Sequence, residues 1–209
     1  MLRFVDAANV VSLAALLAAA AGCALAMRGF PAYAMIALIV AGIGDLFDGL
    51  IARRLARTEE QRRFGGRLDS LVDACAFGFA PSVSLFAMGL NSWFDLPLLA
   101  FFLCCAVWRL AYFDTVGLES EGTTRYYTGL PTTYVALILP LVFLLVFSGQ
   151  EWFVNGMRTA VAAIAVAMVS PVRVRKPGGI AYVGFVLLAV VVVGLLIWQG
   201  PQVHAAWPK

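Results

Sequence analysis

The chain has 209 residues, 62% of them hydrophobic and only 13% charged, with a net charge of +3 and a mean hydropathy of +0.90. Soluble domains carry about 25% charged residues, so neither a soluble globule of this size nor a disordered chain fits. Because about 20 apolar residues cross a bilayer, the length holds roughly six to eight spans and little else. The expected fold is all-α: a polytopic transmembrane helical bundle, with residues 1–209 forming a single integral membrane domain.

In chain order, seven apolar stretches are predicted as spans, at about 9–27, 33–53, 68–90, 96–116, 131–148, 157–172 and 179–199. The first resembles a signal peptide in its positive start, but it runs on into further spans and is read as a retained helix. The breaks carry turn chemistry or charge: Arg28-Gly29-Phe30-Pro31, Gly89-Leu90-Asn91-Ser92, Ser148-Gly149-Gln150 and Lys176-Pro177-Gly178-Gly179. Cys23, Cys75, Cys104 and Cys105 fall in apolar stretches without CxxC or Cys/His spacing. They are expected to be small core residues rather than a disulfide or zinc framework.

Basic residues orient the bundle. With the N-terminus in the cytoplasm and sides alternating, the inner side receives Arg3, Arg53, Arg54, Arg57, Arg62, Arg63, Arg67, Arg109, Arg125, Arg173, Arg175 and Lys176. The outer side receives Arg28, Arg158 and Lys209. Twelve against three places the ends of spans two, four and six in the cytosol of an inner, cytoplasmic membrane. His204 falls on the outer side, away from cytosolic chemistry.

Four acids stand where a membrane helix does not tolerate them. Asp45 and Asp48 lie in the last turns of span two, and Asp69 and Asp73 in the first turns of span three. Spacings of three and four residues put each pair on one helix face. A short basic loop joins the two spans, so both pairs lie at similar depth and converge. An aspartate at a span centre costs roughly 2.5–3.5 kcal/mol, and like charges about 4 Å apart add about 4 kcal/mol per pair at an effective dielectric of 20. Clustered carboxylates beside glycines suit one or two hard divalent cations, Mg²⁺, Mn²⁺ or Ca²⁺, and paired carboxylates on facing helices hold two metals in bundles. Salt bridging to nearby arginines is the bland alternative, and an ion transporter using the four aspartates is the non-enzyme one. A transporter would need polar breaks elsewhere, and spans five and seven contain no Asp, Glu, Lys, Arg or His.

Small and basic residues surround the acids. Gly49, Ala52, Gly65 and Gly66 leave backbone open for a flat or phosphate-bearing ligand, with close helix packing as the alternative. Arg53 is placed to neutralise phosphate, whereas Arg57, Arg62 and Arg63 are read as positive-inside topology with attraction to anionic lipid.

The run Asp45-x-x-Asp48-Gly49-x-x-Ala52-Arg53 followed by Gly65-x-x-x-Asp69-x-x-x-Asp73 resembles the signature of the CDP-alcohol phosphotransferase family. The stretch between Arg53 and Gly65 encloses eleven residues, three more than the family's usual spacing. Three further stretches resemble the phosphatidylserine synthase branch: Phe64-Gly65 through Leu68-Asp69-Ser70-Leu71 to Phe77-Gly78-Phe79-Ala80-Pro81, then Gly129-Leu130-Pro131-Thr132, then Met168-Val169-Ser170-Pro171-Val172-Arg173. Arg109-Leu110 before Phe113 fits as well.

The resemblance implies a six-helix core with additions, CDP-diacylglycerol as donor, and serine or another small alcohol as acceptor. Glycerol phosphate and inositol phosphate are the alternative acceptors. It implies Mg²⁺ or Mn²⁺ on Asp45, Asp48, Asp69 and Asp73, with Asp73 also the general base. Gly49, Ala52, Arg53 and Gly65 would meet the nucleotide and its phosphates. Asn9 is a further nucleotide contact, with helix capping as its alternative. Arg109, Arg125 and Arg173 are candidates for the acceptor's carboxylate. Membrane lipids and a second copy of the chain in a homodimer are the implied partners, and no nucleic acid is.

Overall fold

Asp6 opens the first helix. Its extended backbone and a carboxylate that accepts the Asn9 amide make it the N-cap of α1, Ala7–Met27. Asn9 therefore stands inside the helix, and capping is Asp6's role. After a turn at Gly29, whose φ of 76° suits glycine, Pro31 occupies the first position of α2, Pro31–Ala52. Bare backbone lets α2 press on its neighbours. A Cβ at Gly44 would lie 2.8 Å from the Ala15 Cβ, and one at Gly42 would lie 2.5 Å from the Ala136 Cβ. The structure, a computed structural model, describes residues 2–121, 124–147, 150–176 and 178–206.

Thr58 and Gln61 form a capping box that starts α3, Glu59–Asp73. The helix then passes through a π turn, Ala74–Phe79, into α4, Ala80–Ala87. Pro81 accounts for the π turn: it has no N–H to donate, and its ring crowds the carbonyl four residues back. The widened turn hands the Ala80 amide to the Cys75 carbonyl instead. Sequence hydropathy places the start of this span near residue 68, but the rod begins at Glu59, because its first turns are polar and invisible to an apolar window.

The helix α5, Asp95–Val116, returns to the aspartate end. There the chain forms β1, Glu119–Glu121, and β2, Thr124–Thr128, then re-enters the bundle through a 3₁₀ turn, Thr132–Tyr134, and α6, Val135–Val146. α7 is Gln150–Val169, and β3, Arg173–Arg175, joins it to α8, Gly179–Ala206. The three strands form one antiparallel sheet in the order β1-β2-β3, with Tyr127 opposite Val174 and Thr128 opposite Arg173. Strands of three to five residues carry too little alternation to be read from sequence.

Among the described residues the protein is all-α apart from this small sheet, with six helices long and apolar enough to cross a membrane. The fifth expected span, at about 131–148, is a shorter apolar helix, Thr132–Val146. Its 15 residues reach about 22 Å, less than the ~30 Å hydrocarbon core. It still runs the length of the bundle: Thr133 and Tyr134 line a cavity at the aspartate end, and Val146 fills the space beside Gly156 at the other.

Phe77, Phe102, Phe143, Phe153, Leu139 and Met157 fill the core. Of the cysteines, Cys105 is buried and Cys23 half-buried. Cys75 and Cys104 lie on the exposed outer surface, contrary to their expected place in the core, since their helices turn those positions away from the bundle. At the end opposite the aspartates, Asp95 is fully buried and receives Arg158 Nε at 2.6 Å and Nη2 at 2.9 Å. His204 Nδ1 lies 2.7 Å from the Gly29 carbonyl oxygen and its ring stacks on Phe30.

Candidate active site

The end of α2 and the start of α3 bring the four aspartates together. Carboxylate oxygens of Asp45, Asp48 and Asp69 all lie within 4.8 Å of one another. Asp73, one turn beyond Asp69, lines the same cavity as Asp45 and Asp69. Asp48 and Asp73 are buried, with 4% and 7% exposure, and Asp45 and Asp69 are half-buried. Ser12 on α1 donates to Asp48 Oδ2 at 2.5 Å, while Asp73 Oδ1 is buried with no hydrogen-bond partner. At an effective dielectric of 20, each pair of full negative charges at such spacing costs about 3–4 kcal/mol. An oxygen-only donor set of this kind, with an orphaned buried oxygen beside it, fits a hard divalent cation.

This carboxylate cluster stands between two cavities. The first, of about 770 Å³, lies among α1, α2 and α3 and is lined by Asn9, Ser12, Asp48, Gly49, Ala52, Arg53, Arg57, Gly65 and Asp69. The second, of about 510 Å³, is lined by Asp45, Asp48, Asp69 and Asp73 together with Arg109, Phe113, Asp114, Tyr127, Tyr134, Lys176 and Tyr182. Asp48, Gly49, Arg53, Gly66 and Asp69 line both. The shared wall is thus the motif itself, and Arg53, exposed at the C-cap of α2, reaches either side.

Gly49 and Gly66 have open space where a Cβ would stand, as a ligand slot requires. Gly65 differs. A Cβ there would lie 2.9 Å from Arg57 Nη1 and 3.2 Å from Asn9 Oδ1, so its bare face accommodates those two side chains. Arg57 itself corrects the topological reading of this residue. Its side chain is only 8% exposed, pairs with Asp6 Oδ1 at 2.5 Å and donates to Asn9 Oδ1 at 3.2 Å. The eleven-residue connection is what delivers it: a loop through Arg57, the Thr58 cap, then six residues of α3 before Gly65. Burial alone would push the Asp6 carboxyl up, but the Arg57 guanidinium and the Asn9 amide override it and hold Asp6 below the usual carboxylate range. Arg62 donates to the Arg57 carbonyl, and Arg63 makes only an exposed pair with Glu59.

Of the three acceptor candidates, Arg109 alone is seen in a cavity. It is 94% buried, since its exposure is 6%, and its Nε has no hydrogen-bond partner. Its guanidinium sits 5.1 Å from the Phe113 ring centroid and 5.6 Å from that of Tyr127. Arg173 is exposed on β3 and lines neither cavity. The side chain of Arg125 lies outside the described residues, as do Ser148, Gly149, Pro177 and Lys209. Burial raises the Tyr127 phenol, keeping it a protonated hydrogen-bond donor beside Arg109 at neutral pH.

Sequence reasoning did not single out Ser12, Asp6, Ser70, Asp114, Tyr127 or Lys176. Ser12 stands one helical turn after Asn9, a spacing that could have revealed it. Tyr127 arrives on a strand that no periodicity announced. The Gly129–Thr132 and Met168–Arg173 stretches explain each other. Gly129 and Leu130 amides donate to the Val172 and Ala167 carbonyls, and a Cβ at Gly129 would overlap the Met168 carbonyl oxygen.

Comparison with known proteins covers the region that holds these aspartates. The protein-family profile for CDP-alcohol phosphatidyltransferase matches residues 5–170. A CDP-diacylglycerol–serine O-phosphatidyltransferase of Saccharomyces cerevisiae is 34% identical over 123 residues, covering 56% of this chain and 45% of that protein. Its namesake from Mycobacterium tuberculosis is 29% identical over 160 residues, covering 72% and 54%. An archaetidylserine synthase of Methanothermobacter thermautotrophicus is 24% identical over 147 residues, covering 70% and 59%. The chain spans about half the length of the curated relatives it matches. With four converging aspartates, a profile match across most of its length and these relatives, the chain belongs to the CDP-alcohol phosphatidyltransferase family.

Proposed function

We propose that this protein transfers the phosphatidyl group of CDP-diacylglycerol to the hydroxyl of L-serine, releasing CMP, at a divalent-metal site on the cytosolic side of the membrane. The observation that carries the reading is the carboxylate wall shared by two cavities, which lets a donor and an acceptor meet across one metal-binding motif. The names of the relatives supply the serine acceptor. The excess of basic residues at the aspartate end supports the cytosolic orientation. Residues 1–209 acting as one domain, and as a homodimer, belong to the same reading; cross-linking in nanodiscs tests the dimer.

Asp45, Asp48, Asp69 and Asp73 would hold Mg²⁺ or Mn²⁺. A bound ion supplies neutralisation of the charge that grows on the diphosphate oxygens during transfer. The first cavity takes the nucleotide: Asn9, Ala52 and the open backbone at Gly49 face it, Gly65 lines it behind the Arg57 and Asn9 side chains, and Arg53 meets the phosphates where the cavities join. The second takes the acceptor, with Arg109 positioned for its carboxylate. Asp73, with its unpartnered oxygen, accepts the serine hydroxyl proton. A new bond forms from the serine oxygen to the phosphorus attached to diacylglycerol. The bond from that phosphorus to the CMP oxygen breaks, and CMP leaves with the electron pair.

The test is CMP release by purified protein given CDP-diacylglycerol, Mg²⁺ or Mn²⁺, and a panel of alcohols. Release with serine, lost on chelation and restored by either metal, is the expected result. Release only with glycerol phosphate or inositol phosphate would overturn the serine acceptor, and no release with any alcohol would overturn the enzyme. Asp73→Asn should lower turnover at least about 100-fold while the protein still inserts and elutes as the wild type does.

A further inference from the structure

The second cavity holds a fifth carboxylate, outside the four-aspartate motif. Asp114 lies near the end of α5, lines that cavity and is exposed within it. It is not loose. Ser70, between Asp69 and Asp73 on α3, donates its hydroxyl to Asp114 Oδ1 at 2.9 Å. Among the described residues, no cation lies within ion-pair distance of Asp114. The same cavity presents positive groups, Arg109 with its buried, unpartnered Nε and Lys176 beside the Tyr127 ring. A fixed anion and a buried guanidinium lining one cavity match a ligand that carries both charges.

We propose that Asp114 binds the ammonium of a zwitterionic amino-acid acceptor whose carboxylate is taken by Arg109, and so sets the acceptor class. This rests on the serine reading above and deepens it. An acceptor bearing phosphate brings two negative charges and no cation, and Asp114 repels it. An amino alcohol acid satisfies both poles, with its hydroxyl left to face Asp73. Ser70 is a positioning residue: it aims the Asp114 carboxylate and takes no part in the chemistry.

Asp114→Asn tests the charge while keeping the Ser70 hydrogen bond, because the amide oxygen still accepts. Kinetics are compared for serine and for 3-hydroxypropionate, which keeps the hydroxyl and carboxylate but lacks the amine. The substitution should raise the KM for serine about 10- to 100-fold, the weight of one charge-assisted hydrogen bond. It should change the half-saturating Mn²⁺, the KM for CDP-diacylglycerol and turnover of 3-hydroxypropionate by no more than about twofold. Ser70→Ala, as a second variant, should raise the serine KM by a smaller factor with kcat retained. An unchanged serine KM, equal losses for both acceptors, or a shifted Mn²⁺ requirement would each overturn the assignment of Asp114. If wild-type protein releases CMP with another alcohol but never with serine, the serine reading fails first and takes this inference with it.

Discussion

Arg57 and Asp6 make the clearest case for what one side chain does at the edge of this site. The pair is nearly sealed, with side-chain exposures of 8% and 17%, and it presses Asn9 and Gly65 into the wall of the first cavity. Arg57→Ala should cost about 2 kcal/mol of stability, typical of a hydrogen bond to a charged group, read by thermal unfolding in detergent. The pH dependence has a definite sign. Asp6 is depressed in the folded protein, so its contribution is present above the ordinary value of 3.8 and is lost as pH falls through the folded value. Wild type and Arg57→Ala should therefore differ most at neutral pH and converge as the medium is acidified below 3.8. The aspartates were legible in the sequence because carboxylates in an apolar run have no cheap explanation. Arg57 was not, because it lies in a connection rich in arginine, and only its burial separates it from Arg62 and Arg63.

At the scale of elements, backbone hydrogen bonds anchor the loop into α6. Gly129 adopts a φ of 74°; its amide docks on the Val172 carbonyl, just past α7, and that of Leu130 on the Ala167 carbonyl in the last turns of α7. Gly129→Ala should destabilise the protein by on the order of 3 kcal/mol, combining the left-handed penalty with a clash against a carbonyl that cannot move aside. The expected readout is a lower unfolding temperature together with a loss of acceptor-side function. Chain order, helix identity and the approximate ends of most spans could be read from hydropathy. The sheet could not, since β1, β2 and β3 owe their existence to two distant segments meeting over the second cavity rather than to any pattern within them. The GLPT and MVSP stretches could be seen as motifs, but their meaning as two faces of one backbone contact needed three dimensions.

Across the whole molecule, the two ends do different work. The aspartate end is open and charged, whereas the opposite end is tied by Arg158 to buried Asp95 and by His204 to Gly29. Arg158→Ala would leave Asp95 buried and uncompensated, at a cost of about 3 kcal/mol. Because this tie is remote from both cavities, the variant should unfold at a lower temperature while keeping wild-type KM values for donor and acceptor. Loss of stability without loss of recognition is the signature to look for.

The π turn after Asp73 bears on which changes of length the rod from Glu59 to Ala87 can absorb. Its wide turn holds one residue more than an α-helix needs to keep the same facing, so it acts as slack between the aspartates and the packing surface of α4. A residue removed from Ala74–Phe79 takes up that slack and leaves Asp69 and Leu85 facing as before. A residue removed from 66–68, ahead of the aspartates, leaves their phase with α4 intact but rotates the helix start by about 100° against them. A residue removed from 70–72 parts Asp69 from Asp73 by the same angle. CMP release should survive in part after the first deletion and vanish after the last, so tolerance to shortening is set by angular phase rather than by distance from the chemistry.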